Sequence, residues 1–210
     1  MAGSGGAAGG PTGLADVVHR RRMTRSFDPR PVNPTVLDGL VALARRAPAA
    51  GNTDGLDWVV LEGAGTARFW DVTMPAPRRA SFVYPGLLDA PVVLVPVAHP
   101  GAYLARYDEA DKAGSGLADE ARWPVPYWSL DGAMAVMILL LAAEEAGLGA
   151  LWFGVFRQGD RLAASLGIPP DRQVLGAVAL GHPAAGPARA GRSAGRARRP
   201  VAETIHRGGW

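Results

Sequence analysis

The sequence predicts an α+β protein folded as a three-layer α/β/α sandwich. Three observations predict it. Helical and strand-like segments are interspersed along the whole chain. The run 91–97 (PVVLVPV) is continuously apolar, as expected of a strand covered on both faces. The strongest apolar run, 132–143, is bracketed by Asp131 and by Glu144-Glu145 and suits a central helix buried on all sides.

The elements follow in order. Residues 1–11 are rich in Gly and Ala and read as a disordered leader, without the basic start and apolar core of a secretion signal. Residues 14–22 carry helical spacing (Leu14, Val17, Val18) with arginines in the last turn. A second helix is expected over 34–47, where Asn33 is a plausible N-cap and Pro34 takes the first helical position. Val36, Leu37, Leu40, Val41 and Ala44 mark its apolar face. A short strand over 58–61 is closed by Gly63 and Gly65, and 67–72 reads as a short helix. Regularity fails from 99 to 127, where Gly, Pro and charge mix with Tyr103, Tyr107, Trp123 and Tyr127. Such a segment is expected to act as a lid, and local packing of its aromatics is an equal alternative. The central helix spans 128–147 and is ended by Gly147. A glycine-containing strand (151–156), a helix (160–166) and a strand (174–180) stopped by Gly181-His182-Pro183 come next. An Arg-rich extension from 184 to 210 closes the chain, with 201–206 as a last helical turn or edge segment. Residues 12–210 therefore read as one domain.

Composition removes several function classes. Cysteine is absent, so there is no disulfide frame, thiol nucleophile or Cys-based metal site. The four histidines (His19, His99, His182, His206) are scattered, none at i, i+4 from another. No phosphate-binding G-x-x-x-x-G-K-[ST] loop, nucleophile elbow or credible dinucleotide fingerprint is present. The net charge of +3, with Lys112 as the sole lysine, is too small to argue for nucleic acid. The 132–143 run is too short to cross a bilayer, and a cytoplasmic protein is expected. Any chemistry must then come from a borrowed cofactor.

Two segments suggest which. The first is Arg20-Arg21-Arg22-Met23-Thr24-Arg25-Ser26-Phe27. A guanidinium cluster can clamp a phosphate through bidentate hydrogen bonds, although such a cluster is equally a solvated helix end. The second is Ala47-Pro48-Ala49-Ala50-Gly51-Asn52, a turn of small residues that lets backbone approach a flat ligand. Together they suggest a site for a phosphorylated planar cofactor.

These segments resemble the nitroreductase family of FMN-dependent oxidoreductases, and the resemblance runs from about residue 14 to 206. The family's R-R-S-x-R-x-F opening is matched by 21–27, and its A-P-S-x-x-N-x-Q-P-W segment by 47–56. A long apolar helix ending A-x-x-x-G-L-G is matched by 143–149, a W-x-G-G-F-like strand by 152–156, and an R-x-P-x-x-E segment by 198–203. The chain departs from the pattern at Met23 and Ala49, where the family has serine, at Asp54 for Gln, and at Gly55-Leu56 for Pro-Trp, with Trp58 nearby.

The resemblance implies a nitroreductase-like fold with a central mixed sheet, and a homodimer with FMN at the interface. It also implies hydride transfer from NAD(P)H through the flavin N5 to a nitroaromatic, quinone or related small-molecule acceptor. Carried over by residue, Arg21 and Arg25 would hold the phosphate, with Arg22 near the ribityl region and a backbone contact at Met23. Arg198 and Arg196 would return from the tail. Pro48, Ala49, Ala50, Asn52 and Asp54 would border the ring from one chain, and Trp152, Phe153 and Gly154 from its partner. Tyr107, Trp123 and Tyr127 would shape the acceptor pocket. No catalytic side chain, metal, nucleic acid or membrane is implied. An alternative is a flavin- or deazaflavin-dependent dehydrogenase of a specialised metabolite on the same scaffold. A remote one is a basic nucleic-acid module using 189–199, a tail without the interleaved aromatics such platforms use.

Overall fold

A buried antiparallel sheet forms the middle of the molecule. The structure, a computed structural model, describes residues 13–186, 190–191 and 193–210. The expected leader lies outside the described residues. The elements are α1 (Leu14–Arg20), β1 (Phe27–Asp28), α2 (Pro34–Ala44), β2 (Leu56–Glu62), α3 (Thr66–Thr73), α4 (Ala76–Arg79), β3 (Val92–Ala98), α5 (Pro100–Tyr107), α6 (Tyr127–Glu145), β4 (Gly149–Phe153), α7 (Gly159–Leu166), β5 (Gln173–Val174) and β6 (Ala177–Pro183). β3 pairs with β2 on one side and with β6 and β5 on the other, β4 closes the far edge of β6, and β1 pairs with the end of β6. Every strand pair is antiparallel, and the parallel component of the expected mixed sheet is a single isolated bridge, Met23 to Ala150.

The three layers follow from alternation. Val92 and Leu94 of β3, with Val178 and Leu180 of β6, face α2 and α6. Val93, Val95 and Val97, with Ala177 and Ala179, face the opposite way, onto Phe69 and Trp70 of α3 and Leu162 of α7. A central strand coated on both sides has to be apolar at every position, and β3 is buried throughout. In α2, Asn33 accepts the Thr35 N–H at 2.9 Å as the N-cap, and Leu37, Leu40 and Ala44 point inward.

Four expectations need correction. The strand expected over 174–180 is two pieces, because Leu94 pairs with Val178 while Val97 pairs with Val174, which leaves one extra residue on the β5–β6 side. Pro96 sits opposite that break and has no N–H to donate to a ladder. Gly176 takes up the distortion at φ +142°, where a Cβ would also stand 2.8 Å from the Phe153 carbonyl oxygen. The 99–127 segment is not irregular from its start, since α5 opens it and Tyr103 is part of the core. The helix around 132–143 is longer than its apolar run and reaches the length and hydropathy of a membrane span, yet half of it is buried in the fold. Nor is it buried on all sides: Leu130, Met134 and Met137 are 45%, 40% and 41% exposed.

Candidate functional site

The arginine segment begins where α1 ends. The last carbonyls of a helix lack intrahelical partners and carry partial negative charge. Arg22 answers them: its Nη1 donates to the carbonyls of His19 (2.5 Å), Arg21 (3.0 Å) and Arg20 (3.2 Å). Its guanidinium is therefore engaged by its own helix end. Arg20 reaches α6 and pairs with Glu144 at 3.5 Å. Arg21 is different. Its Nη1 is buried and, among the described residues, has no hydrogen-bond partner. Past it, the chain is fixed on β4 by the Met23–Ala150 bridge and by the Thr24 N–H donating to the Ala150 carbonyl at 3.0 Å. Arg25 donates from Nη1 to the Met23 carbonyl at 3.0 Å and lies 5.5 Å from the Tyr84 ring centre, in a cation–π contact. The tail meets Arg25 at Gly191, where a Cβ would stand 2.8 Å from Nη2. Arg196 and Arg198 are exposed, and among the described residues no hydrogen bond or ion pair joins them to Arg21 or Arg25.

The turn after α2 is held from within the fold. Gly51 (φ +66°) and Asn52 (φ +54°) occupy the left-handed region, which is easy for glycine and uncommon for asparagine. The Ala50 carbonyl accepts from the Thr53 hydroxyl (2.6 Å) and the Thr53 N–H (3.2 Å). The Ala50 N–H donates to Oδ2 of Asp131, on α6, at 2.8 Å. From α5, Arg106 Nε donates to the Gly51 carbonyl at 2.9 Å. Arg106 is itself gripped by both carboxylate oxygens of Asp111, at 2.6 and 2.7 Å, and this guanidinium holds the Asp111 carboxyl below the usual carboxylate range. Burial, then the charge and hydrogen bond of Asp131, push the Tyr103 phenol well above its ordinary value. Pro48 and Ala49 line a small cavity of about 50 Å³ with Tyr103 and Asp131 behind them. Asp54 pairs with Arg45 at 3.0 Å, so its carboxylate does not stand alone beside the turn.

At the end of β4, Trp152 is partly exposed and Phe153 turns the other way, its ring stacked on Trp70 at 5.9 Å and 5°. Gly154 lies under the ring of Phe156, which is 93% exposed; a Cβ there would stand 2.5 Å from it. Phe153, Gly154 and Phe156 border a cavity of about 190 Å³ with Trp70 and Met74. The three expected pocket aromatics do come together: Trp123 makes edge contacts with Tyr107 (5.0 Å) and Tyr127 (5.4 Å). Trp123 also donates from its indole N–H to the Leu117 carbonyl at 2.7 Å, and the ring of Tyr107 covers Gly51. These aromatics pack on one another and on the turn.

Sequence reasoning missed Asp131, Tyr103, Arg106 and Arg45. Asp131 carried a signal, a lone charge at the entry of the longest apolar run. Tyr103 was visible only as one of the 99–127 aromatics, and Arg106 and Arg45 have no local signature: the packing of α5 on the turn gives Arg106 its partner there, and Arg45 meets Asp54 from the end of α2.

The comparisons with known proteins agree with this architecture. The model of a family described as the nitroreductase family matches residues 18–182. An NADH dehydrogenase of Thermus thermophilus is 30% identical over 184 residues, covering 79% of this chain and 84% of that protein. A nitroreductase-like family protein from Bacillus cereus superposes with a TM-score of 0.69 at 19% identity, covering 95% of this chain and 98% of the other. A chain from Desulfovibrio desulfuricans, solved in complex with FMN, gives a TM-score of 0.64 at 22% identity, covering 91% and 94%.

Proposed function

This chain belongs to the nitroreductase family, and from that premise we propose that it binds FMN and carries electrons from NAD(P)H to a small acceptor of the nitroaromatic or quinone class. The observation that carries the reading is the buried Nη1 of Arg21, unpartnered among the described residues, in the same short stretch as Arg25. A guanidinium nitrogen buried without a partner costs free energy that a bound anion recovers, and phosphate oxygens match the guanidinium fork. The residues present fit that group. Arg21 and Arg25 would hold the phosphate, with Arg196 and Arg198 as further cations in the tail. Pro48, Ala49, Ala50 and Asn52 would border the ring.

When bound, FMN supplies hydride acceptance and electron release at one ring atom. The chain's own task is to bind, orient and keep water away. Small side chains at 49–51 let backbone come close, and Tyr107, Trp123 and Tyr127 wall the neighbouring space. The Asp54–Arg45 pair leaves no lone carboxylate beside the turn.

A homodimer belongs to the same reading. Leu130, Met134 and Met137 recur with the 4-3 spacing of a helix seam, and half-buried Leu141 continues it. This apolar stripe on α6 is suited to cover by a second copy, which would bring Trp152, Phe153 and Gly154 of the partner subunit to the site. Met134→Glu should shift the protein toward monomer in sedimentation, and an unchanged dimer would remove α6 from the interface.

The test of the whole reading is the absorption spectrum of the purified protein, followed by titration with FMN and NAD(P)H oxidation with a quinone. About one FMN per chain and acceptor-dependent oxidation are expected. A colourless protein that takes up no added FMN would overturn it.

A further inference from the structure

We propose that Asp131 is a positioning residue: from α6 it holds the 48–53 turn in the shape that faces the flavin ring. The role in flavin binding rests on the function proposed above.

Asp131 is only 6% exposed and, among the described residues, belongs to no ion pair. A carboxylate at such a position is costly, and an apolar residue would serve α6 better as packing. Its two partners explain its presence. One is the Ala50 N–H, at 2.8 Å, and the other is the Tyr103 phenol from α5, which lines the same small cavity and whose ionisation the Asp131 charge opposes. The first is the turn itself, and the second comes from the helix that touches the turn on its other side.

The turn needs holding. Gly51 and Asn52 are successive residues in the left-handed region, a conformation that persists only where the surroundings over-determine it. The hold is two-sided: Asp131 takes the N–H of residue 50, and Arg106 takes the carbonyl of residue 51 at 2.9 Å. Thr53 occupies the Ala50 carbonyl between them. The polar groups on the inner side of the turn are thereby used, and Asn52 is left exposed on the outer side. Of the two holds, Arg106 reaches from a partly open ion-pair cluster, whereas Asp131 is set in the packed core, so Asp131 is the fixed anchor.

Hydrogen exchange of the flavin-free protein reads this directly. In Asp131→Ala, amides 50–53 should exchange at least about tenfold faster while β3 and β6 stay protected, since a buried hydrogen bond to a charged group is lost. FMN affinity should fall by about tenfold or more, with a shifted visible band. Asp131→Asn keeps an acceptor oxygen for the Ala50 N–H and should restore both to within about threefold. Exchange at 50–53 as slow in Asp131→Ala as in the native protein overturns the proposal. If Asp131→Ala does not fold, Asp131→Asn carries the test: fast exchange at 50–53 in a folded Asn variant overturns the hydrogen-bond role. A native protein that takes up no FMN would refute the proposed function, and the exchange measurement would still decide what Asp131 does.

Discussion

The two ends of the site are built in opposite ways. At the arginine end, polar capacity is left over: Arg21 has a buried Nη1 without a partner among the described residues. At the turn, the inner polar groups are already satisfied, by Asp131, Thr53 and Arg106. Unspent donors on one side and a pre-shaped backbone on the other divide the labour of recognition. The first supplies affinity for an anion, and the second supplies shape, so that ordering of the turn is not charged to binding.

That contrast can be broken by substitution. The largest expected effect is Arg21→Ala. It should weaken FMN by roughly 1.5–3 kcal/mol through loss of a charge-assisted contact. The flavin-free protein should lose little stability, because the half-buried side chain that is removed has one buried nitrogen unpartnered among the described residues. A fall in the melting temperature of the apo-protein with unchanged FMN affinity would reverse the assignment. Gly51→Ala comes next, at about 1–2 kcal/mol of fold stability, since an L-residue resists the left-handed region. The new Cβ would also press on Tyr107 at 3.0 Å. Denaturant unfolding measures it, and a loss below about 0.5 kcal/mol would show the turn to be loose.

Tyr103 supplies a pH test of the same end. Its folded-state pKa is raised above the ordinary 10.0, so its contribution is complete below pH 10. As pH rises past 10, the unfolded chain ionises this phenol while the folded one keeps its proton, and stability falls. Tyr103→Phe should flatten that alkaline decline, which melting curves between pH 8 and 11 would follow; an identical decline in both proteins would show that the fold does not hold this phenol protonated. The smallest effect is Arg45→Ala. The Arg45–Asp54 pair is exposed, and its removal should cost no more than about 1 kcal/mol. A shift in acceptor preference without a stability change would sharpen the view that this pair neutralises the rim.

The parts of this molecule that could be read from the chain are those decided by local pattern. Val92–Ala98 announces a doubly covered strand, and Asn33-Pro34 announces a helix start, because each signal lies within a few residues. The candidate site was legible as two motifs, 20–27 and 47–52, since charge and small residues are properties of composition. What failed to appear was the identity of partners. Arg21 and Arg22 are neighbours of the same type, yet Arg22 caps its own helix and Arg21 keeps a buried donor with no partner among the described residues. Nothing local separates them; the direction of the chain leaving α1 does.

The α+β class, the layered alternation, the arginine segment and the small-residue turn were determined by the sequence alone, through periodicity, propensity and charge. Tertiary structure alone decided the break at Leu175-Gly176 opposite Pro96, the bare stripe on α6, and the pairing of Asp131 with an amide 81 residues away. The physical reason is range. Backbone preferences act over a turn or two, whereas a buried polar group must find its partner wherever the packed chain brings one.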